Sequence, residues 1–367
     1  MSDLPARTRD DHAGQILLTG ATGFFGAFLL DELLIKTERT VNCLVRAAGK
    51  EQASRRVREN LTHYGRWNDA VADRIAATQG DLSLPYLGLP PAEFEDLAAK
   101  TTAIFHNGAL VNYLFPLPRM RSVNVDGTLS LIKLATMSSI PKELHYVSMA
   151  GQDPISAYGQ SKLEAEGMVR QAAANGVPAS IFKISRLAPD SRTGLWNKSD
   201  ILIRLLDIVL QVGVAPCMEF SEDWVAVDVA ARAIVRTAMT SRSRQAFSLS
   251  PRELTSFRYL LEVARENGFR IEVDSLANWT KRVRATGTPE YELTIRALRF
   301  DEATDRFDEA PGIASMSDET GPDGFRHSVL DVPGVDRAAL DSFFARWRMH
   351  DHAAGRKSGR PVRPGRR

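Results

Sequence analysis

Thr19-Gly20-Ala21-Thr22-Gly23-Phe24-Phe25-Gly26 decides the fold of this chain. It follows the apolar run Ile16-Leu17-Leu18 and opens the amphipathic run Phe28-Leu29-Leu30-Asp31-Glu32-Leu33-Leu34. Strand, glycine turn and helix therefore arrive in dinucleotide-binding order. Gly20, Gly23 and Gly26 let the backbone turn tightly, approach a pyrophosphate and pack helix against strand. The helix N-terminus offers unpaired N–H groups to phosphates, so Thr19, Thr22, Phe24 and Phe25 join the glycines as candidate cofactor contacts. A glycine triplet alone would be an ordinary turn; the flanking strand and helix argue against that.

Far downstream stands Tyr158-Gly159-Gln160-Ser161-Lys162. A helix from Tyr158 to Asn175 puts Tyr158 and Lys162 at i and i+4, on one face. An ammonium beside a phenol favours the phenolate, so Lys162 is expected to lower the Tyr158 pKa and make it an acid or base nearer neutral pH. Tyr and Lys meet at this spacing on many solvated helices, but the glycine turn upstream argues for a joint role.

The 367 residues, 44% hydrophobic and 25% charged, predict about two domains with a sizeable core. A net charge of +2 carries no nucleic-acid signature. No apolar run has the length of about 18 that suggests a membrane span, and the polar start of the chain holds no signal-peptide core. Cys43 and Cys217 make no metal or disulfide pattern, which points to a reducing compartment and predicts the cytoplasm. The starting methionine and disordered-looking ends suggest a free-standing protein, with an excised synthetase domain as the alternative.

Further strands are expected at Thr40–Val45, Ile75–Gly80, Ala103–Asn107, Glu143–Ser148 and Ala179–Ile184, with a helix between Asn124 and Met137. The class is α/β, a Rossmann-type doubly wound parallel sheet. Arg46 lies 20 residues past Gly26, where an acidic residue would bind the ribose of NAD and an arginine the 2′-phosphate of NADP. Arg56 is a second candidate clamp, although Arg55, Arg56 and Arg58 equally suit a solvated helix face. Asp81, Leu82, Asn107, Gly108, Ala109 and Ser148 fall at the carboxyl ends of strands, where open parallel sheets bind ligands. His106 reads as a core histidine satisfied by its neighbours. Asn124 either holds a carbonyl or water near Lys162 or caps the helix that follows.

The expected domains are a polar segment 1–14 and a cofactor domain 15–185 to which 215–248 returns. A smaller, mostly helical substrate domain takes 186–214 and 249–350, and a basic, disordered tail takes 351–367. The tail's Arg356, Lys357, Arg360, Arg363, Arg366 and Arg367 could steer an acidic partner.

From about Gln15 to Trp347 the chain resembles the thioester reductase family of the extended short-chain dehydrogenase/reductases. These are the terminal reductase domains of nonribosomal peptide and polyketide synthetases and of carboxylic acid reductases. The resemblance rests on Thr19 to Gly26, Cys43 to Ala47, Gly80 to Ser83, His106 to Ala109, Asn124 to Thr128, Tyr158 to Lys162 and Asp190 to Asn197. Val335-Asp336 and Leu340 to Trp347 resemble the family's last helix. It implies NADPH as reductant and a phosphopantetheine-bound acyl thioester on a carrier protein as substrate. The product would be an aldehyde, or an alcohol after a second hydride. Tyr158 with Ser148 would stabilise the developing oxyanion, and Lys162 would tune Tyr158 and hold the nicotinamide ribose.

Two departures stand out. Met149 occupies the place of the family's second hydroxyl, and Tyr158 follows Ser148 by only 10 positions. Ile184-Ser185 replaces the usual Pro-Gly. Either Ser148 takes the hydroxyl role, or the site lacks one donor, since a thioether donates no hydrogen bond. A fatty acyl-CoA reductase, a nucleotide-sugar epimerase, a non-catalytic NADP-binding protein and a non-redox cyclase remain alternatives.

Overall fold

Short apolar strands, buried on both faces, alternate with amphipathic helices through the first half of the chain, the pattern that demands a parallel sheet covered on both sides. The computed structural model describes residues 14–137, 142–151, 153–240, 245–298, 300–301, 306–307 and 325–353. The polar residues 1–13 and the basic tail from Ala354 lie outside the described residues.

The elements run β1 (Gln15–Thr19), α1 (Phe24–Lys36), β2 (Val41–Val45), α2 (Lys50–His63), β3 (Ile75–Gln79), α3 (Pro91–Lys100) and β4 (Thr101–His106). Then come α4 (Leu117–Asn124), α5 (Asp126–Thr136), β5 (Glu143–Met149), α6 (Ala157–Ala174) and β6 (Ala179–Ile184). The sheet order is β6-β5-β4-β1-β2-β3, extended beyond β6 by strands Gln245–Pro251 and Arg326–Val332 to eight. The pairings from β3 through to Gln245–Pro251 are parallel. Strand order reverses between β1 and β4, so the crevice outside their carboxyl ends is the ligand position of such a sheet. The expected helix from Asn124 to Met137 is two helices, α4 and α5, meeting at Val125.

The chain divides into two compact units. One takes the residues up to Ser185, Ala230–Leu249 and a segment ending at Leu330; the other takes Arg186–Val229, a segment from Ser250 and the chain from Asp331. Residues 215–229, which the sequence reading gave to the cofactor domain, belong to the second unit, and strand Arg326–Val332 pairs into the main sheet instead of the substrate domain. In the first unit Leu17, Ile104, Leu131, Leu144 and Ile181 are fully buried between sheet and helices. Each such side chain contributes about 1.5–3 kcal/mol of burial.

The second unit is mainly helical: α7 (Ile201–Val212), the first residues of α8 (Val227–Thr240), α9 (Phe257–Glu266), α10 (Leu276–Arg284), α11 (Pro289–Ala297) and α12 (Arg337–Ala353). Trp224, Trp279, Phe257, Phe343 and Phe344 fill its core. The stretch Asp190 to Asn197 is a clip within this unit. The Asp190 carboxylate accepts from the Thr193 hydroxyl and N–H, and Ser191 donates to Asp228 through its N–H at 3.0 Å and hydroxyl at 2.8 Å. Gly194 has φ +65°, and a Cβ there would stand 2.4 Å from the Ser342 carbonyl oxygen, so the clip docks on α12 only with glycine. Among the described residues no helix is long and apolar enough to cross a membrane.

Candidate active site

The glycine turn is built by close approach. Gly20 has φ +77°, and a Cβ there would lie 2.8 Å from the Asn107 amide nitrogen and the Gly108 backbone. At Gly26 a Cβ would lie 1.9 Å from the Gly20 carbonyl oxygen, which is why the third glycine sets how near α1 comes to β1. At Gly108 it would meet Leu82 at 2.9 Å and the Thr19 hydroxyl at 3.0 Å. Thus β1, β4 and the loop after β3 form one glycine-lined cradle at the switch point. Gly23 caps α1 without a side-chain hydrogen bond, so the first-turn N–H groups of Phe24, Phe25 and Gly26 have no acceptor within the helix. Thr22 is half-buried and Gly23 exposed beside them. The Phe24 and Phe25 side chains are buried, so those two residues can serve a phosphate only through backbone.

Asn60 on α2, which the sequence reading missed, ties this turn down: its amide donates to the carbonyls of Ala21 at 2.9 Å and Gly23 at 3.0 Å. One turn earlier on α2, the Arg56 guanidinium donates to the Arg46 carbonyl, so the two arginines meet at the end of β2, with the Arg46 side chain exposed. The Asp81 carboxylate accepts from the Ser83 N–H at 2.8 Å and hydroxyl at 2.7 Å, closing a turn at the end of β3. Asn107 and Ala109 are half-buried at the end of β4. A dinucleotide fits this donor set, with unpaired N–H groups and a glycine floor for the pyrophosphate and exposed guanidinium for further negative charge.

His106 is a buried, doubly partnered histidine. Its Nδ1 lies 2.8 Å from the Thr19 hydroxyl and its Nε2 2.9 Å from that of Thr128. Burial, helped by the positive charge of Lys162, pulls its pKa down to about 3. Asn124 does not cap α5. It ends α4, where its side chain pairs with both backbone groups of Leu110, at 2.7 and 3.1 Å, and its amide donates to Ser161 at 2.9 Å.

Tyr158 and Lys162 do share α6, but the ammonium does not act on the phenol as expected. Lys162 donates to the Val147 carbonyl at 2.7 Å and lies 4.2 Å from the centre of the Tyr146 ring. Burial, Tyr113 and Asp153 together raise the Tyr158 pKa well above its ordinary value. The Tyr113 ring meets Tyr158 edge-on at 5.8 Å. Burial lowers the Lys162 pKa to about 7, against an opposing pull from Glu166.

Ser148 is likewise engaged elsewhere. Its hydroxyl donates to Glu166 of α6 at 2.8 Å, and that carboxylate also holds Lys183 at 3.0 Å and Arg170 at 2.9 Å. Burial works to raise the Glu166 pKa, but Lys183, the Ser148 hydroxyl and Arg170 outweigh it and hold the group below the ordinary carboxylate value. A serine has one hydroxyl hydrogen. That hydrogen goes to Glu166, so in this arrangement the serine ties the end of β5 to α6 and offers no hydrogen to a substrate oxygen. Met149, the next residue along the strand, points to the opposite face.

The short segment before Tyr158 is a tightly bonded turn. Asp153 accepts from the N–H groups of Ile155 and Ser156, and Ser156 caps α6 by accepting from Gly159 at 2.9 Å. A Cβ on Gly159 would lie 1.9 Å from the Asp153 carbonyl oxygen, so the glycine beside Tyr158 is dictated by this turn.

A 3-2-1-4-5-6 strand order, a glycine cradle at its switch point and a Tyr-x-x-x-Lys helix beside it define an NAD(P)-binding oxidoreductase of the short-chain type. The sequence matches the NAD-binding family described as male sterility protein over residues 18–156 and 149–234. The fold matches the terminal R domain from the myxalamid PKS-NRPS biosynthetic pathway, with a TM-score of 0.83 and 31% identity, covering 94% of this chain and 92% of that one. Over 386 residues, 95% of this chain, it is 30% identical to the isonitrile lipopeptide synthase of Streptomyces coeruleorubidus, of which it spans 26%. Over 257 residues, 61% of the chain, it is 34% identical to the L-2-aminoadipate reductase of Penicillium chrysogenum, of whose large chain it spans 18%. The chain belongs to this family of extended short-chain reductases, the reductase domains of peptide and polyketide synthetases, and is an enzyme of the oxidoreductase class.

Proposed function

We propose that the protein is an NADPH-dependent reductase that releases an acyl group from the phosphopantetheine thioester of a carrier protein, or from CoA, as an aldehyde, with further reduction to the alcohol open to it. The observation that carries this reading is the Tyr158–Lys162 helix held at the carboxyl end of β5 beside the glycine cradle. The likeness to a terminal R domain and to a stretch of a lipopeptide synthase supports thioester and carrier protein as the substrate class. Arg46, exposed just after β2, and Arg56, on α2 and donating to the Arg46 carbonyl, support NADPH over NADH, since a guanidinium suits a 2′-phosphate.

Bound NADPH would supply hydride to the thioester carbonyl carbon. The Tyr158 phenol, kept protonated by its raised pKa, donates to the carbonyl oxygen as that oxygen gains negative charge. Collapse of the hemithioacetal breaks the C–S bond, its hydroxyl proton passes to the departing thiolate, and a proton from solvent restores Tyr158, leaving aldehyde and free thiol. Lys162 is held by the Val147 carbonyl and the Tyr146 ring one turn along α6 from Tyr158, where, when ionised, it would serve to hold the nicotinamide ribose.

The purified protein with NADPH and an acyl-pantetheine thioester is expected to consume NADPH and form aldehyde and thiol in equal amounts. Tyr158→Phe should lose at least about a hundredfold in kcat while binding NADPH as before, because only a bond made in the transition state is removed. Thiol released with free acid, or a fully active Tyr158→Phe variant, would defeat the proposal.

A further inference from the structure

A single hydrogen-bond path joins the cofactor turn to the Tyr158 helix, and its directions can be read donor by donor. Gly108 N–H donates to the Thr19 hydroxyl at 2.8 Å. At the far end the Thr128 hydroxyl donates to the Asn124 carbonyl at 2.6 Å. Having given its hydrogen to Asn124, Thr128 can only accept from His106, so the imidazole carries its proton on Nε2. A neutral ring protonated there has a bare Nδ1, which accepts from Thr19. From Asn124 the path continues: the side-chain amide donates to Ser161 at 2.9 Å, and Ser161 donates to the Tyr158 carbonyl at 2.7 Å. The imidazole is the link between the two sides of this path, since Thr19 and His106 are register partners on β1 and β4 while Thr128 is on α5.

We propose that His106, fixed as the Nε2–H tautomer, is a positioning residue that sets the cofactor turn at Thr19–Gly20 and Gly108 against the helix that carries Tyr158 and Lys162. It touches no reacting atom. Its contribution is alignment, transmitted through Thr19 on one side and Thr128, Asn124 and Ser161 on the other, and it rests on the cofactor and acid roles given above. Its pKa of about 3 means that it does not titrate at physiological pH, so the path keeps one direction.

Two measurements test this. The imidazole nitrogen resonances of the ¹⁵N-labelled, cofactor-free full chain are expected to show protonated Nε2 and bare Nδ1, unchanged over about pH 5–9, a window that spans the ordinary imidazole range. Protonation on Nδ1, or a titration inside that window, overturns the proposal whether or not any variant folds. In turnover, His106→Phe keeps the ring volume and removes both contacts. It should lower kcat about tenfold, the worth of a hydrogen bond or two, with the thioester KM held within about twofold. His106→Gln, with one acceptor and one donor, should recover part of that loss. A folded His106→Phe protein with wild-type kcat, or with its loss confined to KM, overturns the proposal. Failure of the underlying reading has a different mark: the wild-type chain itself would bind no NADP(H) and reduce no thioester, and the positioning role would fall with it.

Discussion

Replacing Ser148 by alanine separates two roles that the sequence leaves equal. The Ser148 hydroxyl is 2.8 Å from Glu166, both residues are buried, and the carboxylate keeps Lys183 at 3.0 Å and Arg170 at 2.9 Å when the serine is removed. A hydrogen bond to a charged group is worth about 1.5–3 kcal/mol. The two remaining cations put Ser148→Ala at the lower end, about 1.5–2 kcal/mol. For a folding unit of this size that is a Tm fall of roughly 3–8 °C. Because the hydroxyl faces Glu166 and not a substrate, kcat should stay within about threefold of wild type. An oxyanion donor would behave in the opposite way, costing about two to three orders of magnitude in kcat with little change in Tm. Thermal unfolding followed by fluorescence, beside NADPH consumption with an acyl-pantetheine thioester, reads both quantities on one preparation. A hundredfold loss of kcat at unchanged Tm would refute the assignment of Ser148 to α6.

Arg46→Ala should weaken NADPH by about 1.5–3 kcal/mol, more than tenfold, and NADH hardly at all; equal weakening in a fluorescence titration would remove Arg46 from the 2′-phosphate site. Lys162 loses its charge near pH 7, where its ordinary value is 10.5, so kcat/KM should fall as pH rises through about 7. Glu166→Gln removes a carboxylate that raises the Lys162 pKa, so the same limb should move to lower pH, and a limb that stays put would show that the two do not communicate. The shift also has a stability sign. Between about pH 7 and 10.5 the unfolded chain binds a proton at Lys162 that the folded one does not, so this group makes stability rise with pH across that window.

The backbone of the first unit was legible because its signals are local. A glycine turn between an apolar strand and an amphipathic helix has one physical solution, and the near collision of a Gly26 Cβ with the Gly20 carbonyl shows why the third glycine is part of it. Tyr158 and Lys162 were legible as helix neighbours for the same reason. What each side chain does with its polar atoms was not, because partners come from distant segments. Ser148 turns to Glu166, 18 residues on, Lys162 to Val147, 15 residues back, and Asn124 to Ser161, 37 residues on. Glu166 did carry one sequence signal, its place four residues after Lys162, which continues the Tyr158–Lys162 stripe down α6 to Arg170.

That stripe explains how the helix tolerates so much buried charge. Going down α6 from Tyr158, a phenol, an ammonium, a carboxylate and a guanidinium recur every four residues, so opposite charges are neighbours on the helix face. Glu166 is the pivot, since it contacts β5 through Ser148, β6 through Lys183 and its own helix through Arg170. Leaving such a carboxylate unpaired would be costly in the interior, whereas here Ser148 and two cations share it. The serine at the end of β5 and the lysine at the start of α6 are therefore parts of one electrostatic arrangement. Position 149, the next along β5, points to the other face of the strand and takes no part in this arrangement. On the proposed mechanism carbonyl polarisation would then fall to Tyr158, whose raised pKa keeps its proton in place.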